Sequence, residues 1–201
     1  MLNELLKRYP CLERTREDIV KAEKAFITAF KNDNKLLICG NGGSCADAEH
    51  IVGELMKGFV KRREVSDSFA ECLRSADEVR GAELAKKLQG GLPAIALTGH
   101  AGLSTAYLND VDAQQTYGYG RPGDVLIGIS TSGNAKNVMY AMTVAKALGM
   151  KTIGLTGKDG GALKREADVS VVVPETETFK IQELHLPVYH ALCLMLEERF
   201  F

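Results

Sequence analysis

Residues 123–142 of the chain read GDVLIGISTSGNAKNVMYAM, and this stretch decides the fold. The apolar run at 125–129 predicts a buried strand, and the Ser, Thr, Gly and Asn residues at 130–134 predict a tight turn. A helix is predicted to follow at about 135–148. A buried strand, a polar turn and a helix form the repeating unit of a parallel sheet that is covered by helices.

Four further short apolar runs alternate with helical patterns along the chain. They are KLLIC at 35–39, LPAIAL at 92–97, KTIGL at 151–155 and VSVVV at 169–173. The alternation predicts an α/β fold with a parallel sheet wrapped by helices. A chain of 201 residues is long enough for one sizeable core, so we expect residues 1–201 to form a single domain.

Two segments depart from this alternation. Residues 1–33 form an N-terminal helical segment, with one helix predicted from about Leu5 to Phe30. Because a helix ahead of the first strand has little sheet to cover, we expect its apolar stripe to pack against another subunit. Residues 57–91 are charged throughout, and we interpret them as a variable insertion beside the core, with a helix at about 77–88 that ends at two glycines.

The composition argues against several classes of function. The formal net charge is -1 and the one dense basic run is at 61–63, so the broad positive field of a nucleic-acid-binding protein is absent from the sequence. The sequence shows neither a signal-peptide pattern nor an apolar stretch of membrane-spanning length, so we expect a cytoplasmic protein. The five cysteines are an odd number without metal-ligand spacing, which favours free thiols.

Two turns rich in glycine and hydroxyl groups are candidates for phosphate binding. GNGGS at 40–44 and STSGN at 130–134 each follow a predicted strand and precede a predicted helix. Backbone N–H groups at a helix N-terminus favour a phosphate without a nearby Lys or Arg. A single turn of this kind fits ordinary helix capping equally well, but two in one sheet favour a sugar phosphate. Neither turn has the spacing of a nucleotide-binding motif.

A few side chains on two predicted helices could transfer protons or bind a metal. His50 and Glu54 lie one turn apart on the helix that begins at Ser44, although such a pair is more often an ordinary surface pair. On the last helix, Gln182 and His190 lie roughly on one side, two turns apart. His185 points elsewhere, and we interpret it as a core or interface histidine.

These motifs together resemble a known family. The segments are CGNGGSCADAEHIVGEL, LPAIALTGHAGLSTAYLND, GRPGDVLIGISTSGNAKNVMYAM, KTIGLTGKDGG and IQELHLPVYH. In order and spacing they closely resemble the sugar isomerase (SIS) domain family, and within it the phosphoheptose isomerases of bacterial heptose synthesis. The resemblance extends from about residue 36 to the C-terminus. It implies a flavodoxin-like three-layer sandwich with a five-stranded parallel sheet. It also implies a homotetramer with active sites near the subunit interfaces.

The resemblance further implies a reaction and a set of site residues. The reaction is the conversion of sedoheptulose 7-phosphate to D-glycero-D-manno-heptose 7-phosphate. The catalytic pair would be Glu54 and His190, and the zinc ligands would be His50, Glu54, Gln182 and His190. The substrate-binding residues would be Asn41, Gly42, Gly43, Ser44, Asn109, Asp110 and Gln182, with Ser130, Thr131 and Ser132 at the phosphate.

The implied chemistry suits these side chains. Moving a carbonyl from C2 to C1 requires a base that takes a proton from one carbon and returns it to the next through an enediol. Glu54 would be that base, and His190 would move protons between the oxygens. A metal-bound carboxylate is a weaker base, so zinc could instead be structural, inhibitory or a Lewis acid.

Two other functions stay open from the sequence. Ala135, Phe179 and Pro187 depart from the pattern of many relatives, and the link after Asp110 is short, so another sugar phosphate could be the substrate. The second alternative is a non-catalytic regulator, since one SIS relative binds the bacterial replication initiator. That relative lacks the catalytic Glu and His, whereas Glu54 and His190 are present here.

Overall fold

Parallel strands form the centre of the protein in a computed structural model, which describes residues 1–110 and 116–201 and all side chains in those ranges except 107–110. Within the described residues the sheet has five strands, which agree with the predicted runs to within two residues at either end. They are β1 Leu36–Gly40, β2 Ala94–Ala96, β3 Val125–Ser130, β4 Lys151–Thr156 and β5 Val169–Val172.

The strand order is β2-β1-β3-β4-β5, with every pair parallel. This is the flavodoxin-like order that the resemblance implies. The order of the strands reverses at β1: β2 is added on one side of β1, and β3, β4 and β5 are added on the other. Strands β1 and β3 are direct neighbours, with Leu36 opposite Val125. Open α/β sheets bind ligands outside the carboxyl ends of the strands at such a switch point. The two glycine- and serine-rich turns follow these two strands.

The helices connect the strands and cover both faces of the sheet. They are α1 Leu2–Arg8, a 3₁₀ helix at Pro10–Thr15, α2 Arg16–Lys31, α3 Gly43–Met56, α4 Asp67–Ala76, α5 Glu78–Lys87, α6 Ala101–Asp110, α7 Thr116–Tyr119, α8 Lys136–Ala147, α9 Gly161–Glu166 and α10 Thr178–Phe200. None of these helices, over the residues described, has the length and apolar character needed to cross a membrane.

Alternating strand residues divide the core into two layers. In β1, Leu36 and Ile38 pack with α2, α3 and α10, whereas Leu37 and Cys39 pack with α8 and α9. All four side chains are at most 3% exposed. Since successive residues of a strand point to opposite faces, a strand that is apolar throughout must be covered on both sides. The result is the three-layer sandwich.

The N-terminal segment differs from its prediction. The expected single helix from Leu5 to Phe30 is divided by the 3₁₀ helix that begins at Pro10, a residue that has no backbone N–H to continue α1. The apolar stripe of α2, with Ile19, Ala22 and Phe26, is buried in the main core of this same chain. The expectation that this stripe packs against another subunit is therefore wrong.

The insertion at 57–91 contains two helices. The helix predicted at 77–88 is confirmed as α5, and α4 precedes it without having been predicted. Both helices have side-chain N-caps, Ser66 for α4 and Asp77 for α5. The two helices pack against each other, with Gly81 of α5 close against the backbone of α4 at Leu73. They form a helical hairpin.

Candidate active site

A cleft of about 390 Å³ opens at the carboxyl ends of β1 and β3. Its lining includes eight of the predicted substrate-binding residues, Asn41, Gly42, Gly43, Ser44, Ser130, Thr131, Ser132 and Gln182. The two remaining predictions, Asn109 and Asp110, end α6, and their side chains lie outside the described residues. The turns that the sequence singled out separately therefore share one cleft with the start of α10.

The turn after β1 depends on two glycines. Gly42 has φ 55°, a left-handed conformation that glycine adopts without a steric penalty. Gly43 lies so close to Gln182 that a Cβ at this position would collide with the Gln182 side-chain amide. The close approach of α10 to the start of α3 thus requires a residue without a side chain.

Two helices begin at this cleft, α3 and α8, and within the described residues their N-cap positions point no capping side chain at their own N–H groups. These positions are Gly42 before α3 and Ala135 before α8. The first N–H groups of a helix lack intrahelical partners and carry partial positive charge. An anion can therefore be held here by backbone groups and by the hydroxyls of Ser130, Thr131 and Ser132.

An amide pair that sequence reasoning missed joins the two turns. Asn41 Nδ2 donates to Asn137 Oδ1 at 2.8 Å, and Asn137 Nδ2 donates to Asn41 Oδ1 at 2.7 Å. The two residues are 96 positions apart, so no local pattern could reveal the pairing. The pair holds the start of α8 against the turn that follows β1.

The predicted acid/base residues meet between α3 and α10. His50 Nε2 lies 3.2 Å from Glu54 Oε1, and the rings of His50 and His190 have centroids 4.9 Å apart and are nearly perpendicular. The Glu54 side chain is 13% exposed, against 42% for His50. Burial, followed by the influence of His50, lowers the pKa of His190 despite the opposing effect of Glu54. His190 is therefore neutral near pH 7 and can both accept and donate protons.

A buried ion pair positions the end of α3 that carries Glu54. Arg63 donates to the backbone oxygens of Glu54 and Leu55 at 2.9 and 2.6 Å, and to Glu197 Oε1 at 2.8 Å. Its side chain is 0% exposed and that of Glu197 is 1% exposed. Sequence reasoning noted Arg63 only as part of the basic run at 61–63, and its separation of 134 residues from Glu197 hid its role.

Glu197 also holds the loop that follows α3. Its carboxylate accepts hydrogen bonds from the backbone N–H groups of Phe59, Val60 and Lys61 at 2.8–3.1 Å. Burial by itself would raise the pKa of Glu197, but these N–H groups and Arg63 together lower it. Glu197 is therefore ionised, and it ties α10 to the loop that follows α3.

Tyr189 and Asp47 lie behind His50, and sequence reasoning missed them as well. The Tyr189 hydroxyl is 3.0 Å from His50 Nδ1 and donates to Asp47 Oδ1 at 3.3 Å. Burial raises the pKa of Asp47, and burial followed by the nearby Asp47 raises that of Tyr189.

The other residues that the sequence singled out are side chains of α10 and the cysteines. Helix α10 is continuous through Pro187 and carries both Gln182 and His190, with Gln182 at the cleft. His190 also borders a cavity of about 240 Å³ between α1 and α10. His185 is fully buried, as expected for a core histidine. All five cysteines are free, and burial raises the pKa of Cys39 and Cys193 to about 12, so both thiols are inert core residues.

The implied zinc ligands only partly form a metal site. His50, Glu54 and His190 are neighbours, but within the described residues no group of three or more His, Cys, Asp or Glu side chains is arranged to hold a metal ion. The donor types do suit zinc. In addition, Nε2 of His190 is buried without a hydrogen-bond partner in the described part of the chain, as a metal-binding nitrogen would be before the metal enters.

Comparisons with known proteins agree with the geometry. The family model described as "SIS domain" matches residues 2–90 and 76–157. A phosphoheptose isomerase from a Nitratiruptor species is 41% identical over 98% of this chain and 96% of its own length. One from Helicobacter pylori is 38% identical over 98% of this chain and 91% of its own.

Solved structures are similar over the whole fold. Phosphoheptose isomerase GmhA from Neisseria gonorrhoeae has a TM-score of 0.75 and 34% identity, covering 98% of this chain and 94% of that one. A phosphoheptose isomerase from Francisella tularensis has a TM-score of 0.71 and 28% identity, covering 98% of each chain.

Proposed function

The chain belongs to the SIS domain family, and from this premise we propose that it is an aldose–ketose isomerase that converts sedoheptulose 7-phosphate to D-glycero-D-manno-heptose 7-phosphate. Relatives named phosphoheptose isomerase match nearly the full length of this chain. The reaction serves bacterial heptose and surface-glycan synthesis.

One observation carries the proposal: α3 joins the phosphate cleft to the carboxylate and imidazole pair. Ser44 lines the cleft and His50 contacts Glu54. Ser44 and His50 are separated by six residues, or about 9 Å along a helix. That span is comparable with an extended seven-carbon sugar between its terminal phosphate and its carbonyl carbon. A phosphate held by the turns would thus bring the reacting carbons toward Glu54.

The residues then divide the chemistry between them. The hydroxyls and N–H groups of the two turns bind the phosphate and orient the sugar. Glu54 removes a proton from C1 of the ketose to give an enediol and returns it to C2. His190, neutral and with an unpaired Nε2, moves the proton between the two oxygens.

Zinc is part of the proposal, with His50, Glu54 and His190 as ligands and Gln182 as the fourth ligand that the family resemblance implies. The unpaired Nε2 of His190 and the carboxylate–imidazole donor set support it. A bound zinc ion would polarise the sugar oxygens as a Lewis acid. The proton transfers assigned above to Glu54 and His190 are those of the zinc-free site, because zinc would occupy the same carboxylate and the same Nε2.

The assembly and location also belong to the proposal. We expect a homotetramer in the cytoplasm with the active sites near subunit interfaces. The cavity between α1 and α10 that reaches His190 supports a site beside an interface, because Met1, Leu5 and Leu186 line it with apolar surface. Light scattering of the purified protein measures the mass directly, and a monomer would contradict this part.

The test of the reaction is a panel of ketose phosphates incubated with the purified protein, with and without a zinc chelator, while aldose formation is followed. The proposal expects turnover of sedoheptulose 7-phosphate well above that of pentose and hexose phosphates. Turnover of another sugar would correct the substrate. If no sugar phosphate reacts, with or without added zinc, the protein is not an isomerase and a regulatory role gains support.

A further inference from the structure

The Tyr189 hydroxyl lies between two groups on α3. It is 3.3 Å from Asp47 Oδ1 and 3.0 Å from His50 Nδ1. Tyr189 is 2% exposed, so water cannot replace either contact freely. Asp47 and His50 are three residues apart on α3 and thus share a helix face, and Tyr189 reaches both from α10.

The Tyr189 hydroxyl can donate only one hydrogen bond, because a phenol has one proton to donate. The Tyr189 hydroxyl is the one hydrogen-bond donor to the Asp47 carboxylate among the described residues, since Asp47 Oδ2 is buried without a partner. If the phenol proton goes to Asp47, the same oxygen can only accept a hydrogen bond from His50. His50 must then carry its proton on Nδ1.

The position of the proton on Nδ1 also determines what the other ring nitrogen of His50, Nε2, can bind. With the proton on Nδ1, Nε2 of a neutral His50 presents a lone pair, and it does so 3.2 Å from Glu54 Oε1. Two electron-rich atoms at this distance repel unless a cation or a proton lies between them. The ring is therefore set up to share either a second proton or a metal cation with the carboxylate.

We propose that Tyr189 and Asp47 are positioning residues that fix the tautomer of His50 with its proton on Nδ1, so that Nε2 and Glu54 together bind a cation. Neither residue touches the substrate. The inference rests on the proposed function only in identifying the cation as zinc. Metal-binding histidines commonly donate their other N–H to an oxygen that orients the ring, and here the phenol of Tyr189 does so with Asp47 behind it.

One alternative proton arrangement gives the opposite outcome. If Asp47 kept its own proton and donated it to the Tyr189 oxygen, the phenol could donate to His50 Nδ1. The His50 proton would then lie on Nε2 and would bond to Glu54 directly. No cation would be needed, and Tyr189 would only fill the core. The two arrangements therefore make opposite predictions for the same ring nitrogens.

The experiment combines a tautomer measurement with zinc titration on the full-length protein. Long-range ¹H–¹⁵N correlation spectra of histidine-labelled, zinc-free protein report which nitrogen of His50 carries the proton, with His50→Gln providing the assignment. We expect the proton on Nδ1. A proton on Nε2, either alone or together with one on Nδ1, would overturn the proposal.

Zinc affinity provides the second measurement, by competition with a chromophoric chelator. Tyr189→Phe keeps the ring but removes the hydroxyl, and we expect zinc binding to weaken about 10- to 100-fold, the usual effect of losing such a supporting residue. Asp47→Asn retains an oxygen that accepts the phenol proton, so it should weaken binding less. Tyr140→Phe removes a hydroxyl from an exposed tyrosine on α8 and is the matched control, with affinity unchanged.

Activity separates this inference from the proposed function. In Tyr189→Phe, kcat should fall while KM for the sugar phosphate changes little, provided that thermal unfolding shows a folded protein. If Tyr189→Phe binds zinc as tightly as the unmodified protein, the positioning role is wrong even if the enzyme is an isomerase. If the unmodified protein turns over no sugar phosphate but shows the Nδ1 proton and the loss of zinc affinity, the proposed function fails and this inference stands.

Discussion

At the scale of single residues, His185 shows how a buried group couples stability to pH. It is fully buried beside Thr156. Within the described part of the chain, neither of its ring nitrogens has a hydrogen-bond partner. Burial lowers its pKa from 6.5 to about 4. The folded protein thus holds this imidazole neutral under conditions in which the unfolded chain protonates it.

His185 should make the protein less stable in mild acid. Because its folded pKa lies below its unfolded pKa, its contribution is fully present above pH 6.5 and is lost as the pH falls toward 4. The loss approaches about 3 kcal/mol. Urea denaturation of the unmodified protein and of His185→Leu, at one protein concentration, measures this, and the difference between their unfolding free energies should change across that range. Parallel pH profiles would contradict it.

Gly43 is a second residue whose role can be tested alone. A Cβ at this position would collide with the Gln182 amide, so Gly43→Ala should move Gln182 out of the cleft while the chain still folds. Loss of one hydrogen bond to substrate corresponds to about a tenfold rise in KM. Gly53→Ala, in the same helix and with no described atom within 4 Å of the added carbon, is the matched control. Equal KM values for the two variants would show that Gln182 does not bind substrate.

At the scale of elements, the end of α3 that carries Glu54 is held by α10 through Arg63 and Glu197. Arg63 donates to the last turns of α3, and Glu197 accepts from Arg63 and from the following loop. The contact between Arg63 and Glu197 is not a local feature, since the two residues are 134 positions apart. Two helices and a loop therefore share one buried carboxylate.

Neutralising the Glu197 carboxylate should lower the free energy of unfolding. Glu197→Gln leaves the Arg63 guanidinium buried without its partner charge, and we expect a loss of about 3–5 kcal/mol in the free energy of unfolding. Because the same contacts fix the end of α3, kcat should fall as well. Glu198→Gln alters the exposed neighbour and should change neither quantity. Chemical denaturation and steady-state kinetics provide the two measurements. A stability equal to that of Glu198→Gln would contradict the proposed role of the ion pair.

Sequence patterns predicted the five strands more accurately than the N-terminal helices. The strands were predictable because five short runs are mainly apolar, which is the pattern of strands covered on both faces of a parallel sheet. The first helix was predicted wrongly because its period continues across Pro10. Its stripe was assigned to a partner because nothing in the sequence shows that α2 folds back over the sheet. Helical period specifies a buried face but not what covers it.

At the scale of the whole molecule, the cleft was predictable and the support of the acid/base group was not. Each turn lies directly after its strand, and parallel strands bring their carboxyl ends to one edge, so a local motif implies a shared site. Tyr189 and Asp47 are 142 residues apart and meet only because α10 packs on α3. The residue types of the site could thus be inferred from motifs, whereas the hydrogen bonds that orient them depend on tertiary packing.

In the proposed mechanism, Glu54 transfers a proton between C1 and C2 of a sugar whose phosphate lies in the cleft. The most direct test is to incubate sedoheptulose 7-phosphate with the unmodified protein and with Glu54→Gln in deuterated water and to measure deuterium at the substrate carbons by NMR. The account predicts deuterium incorporation by the unmodified protein and a loss of at least about a hundredfold in the variant, as expected for a positioned base. Exchange retained at the original rate in Glu54→Gln would contradict it.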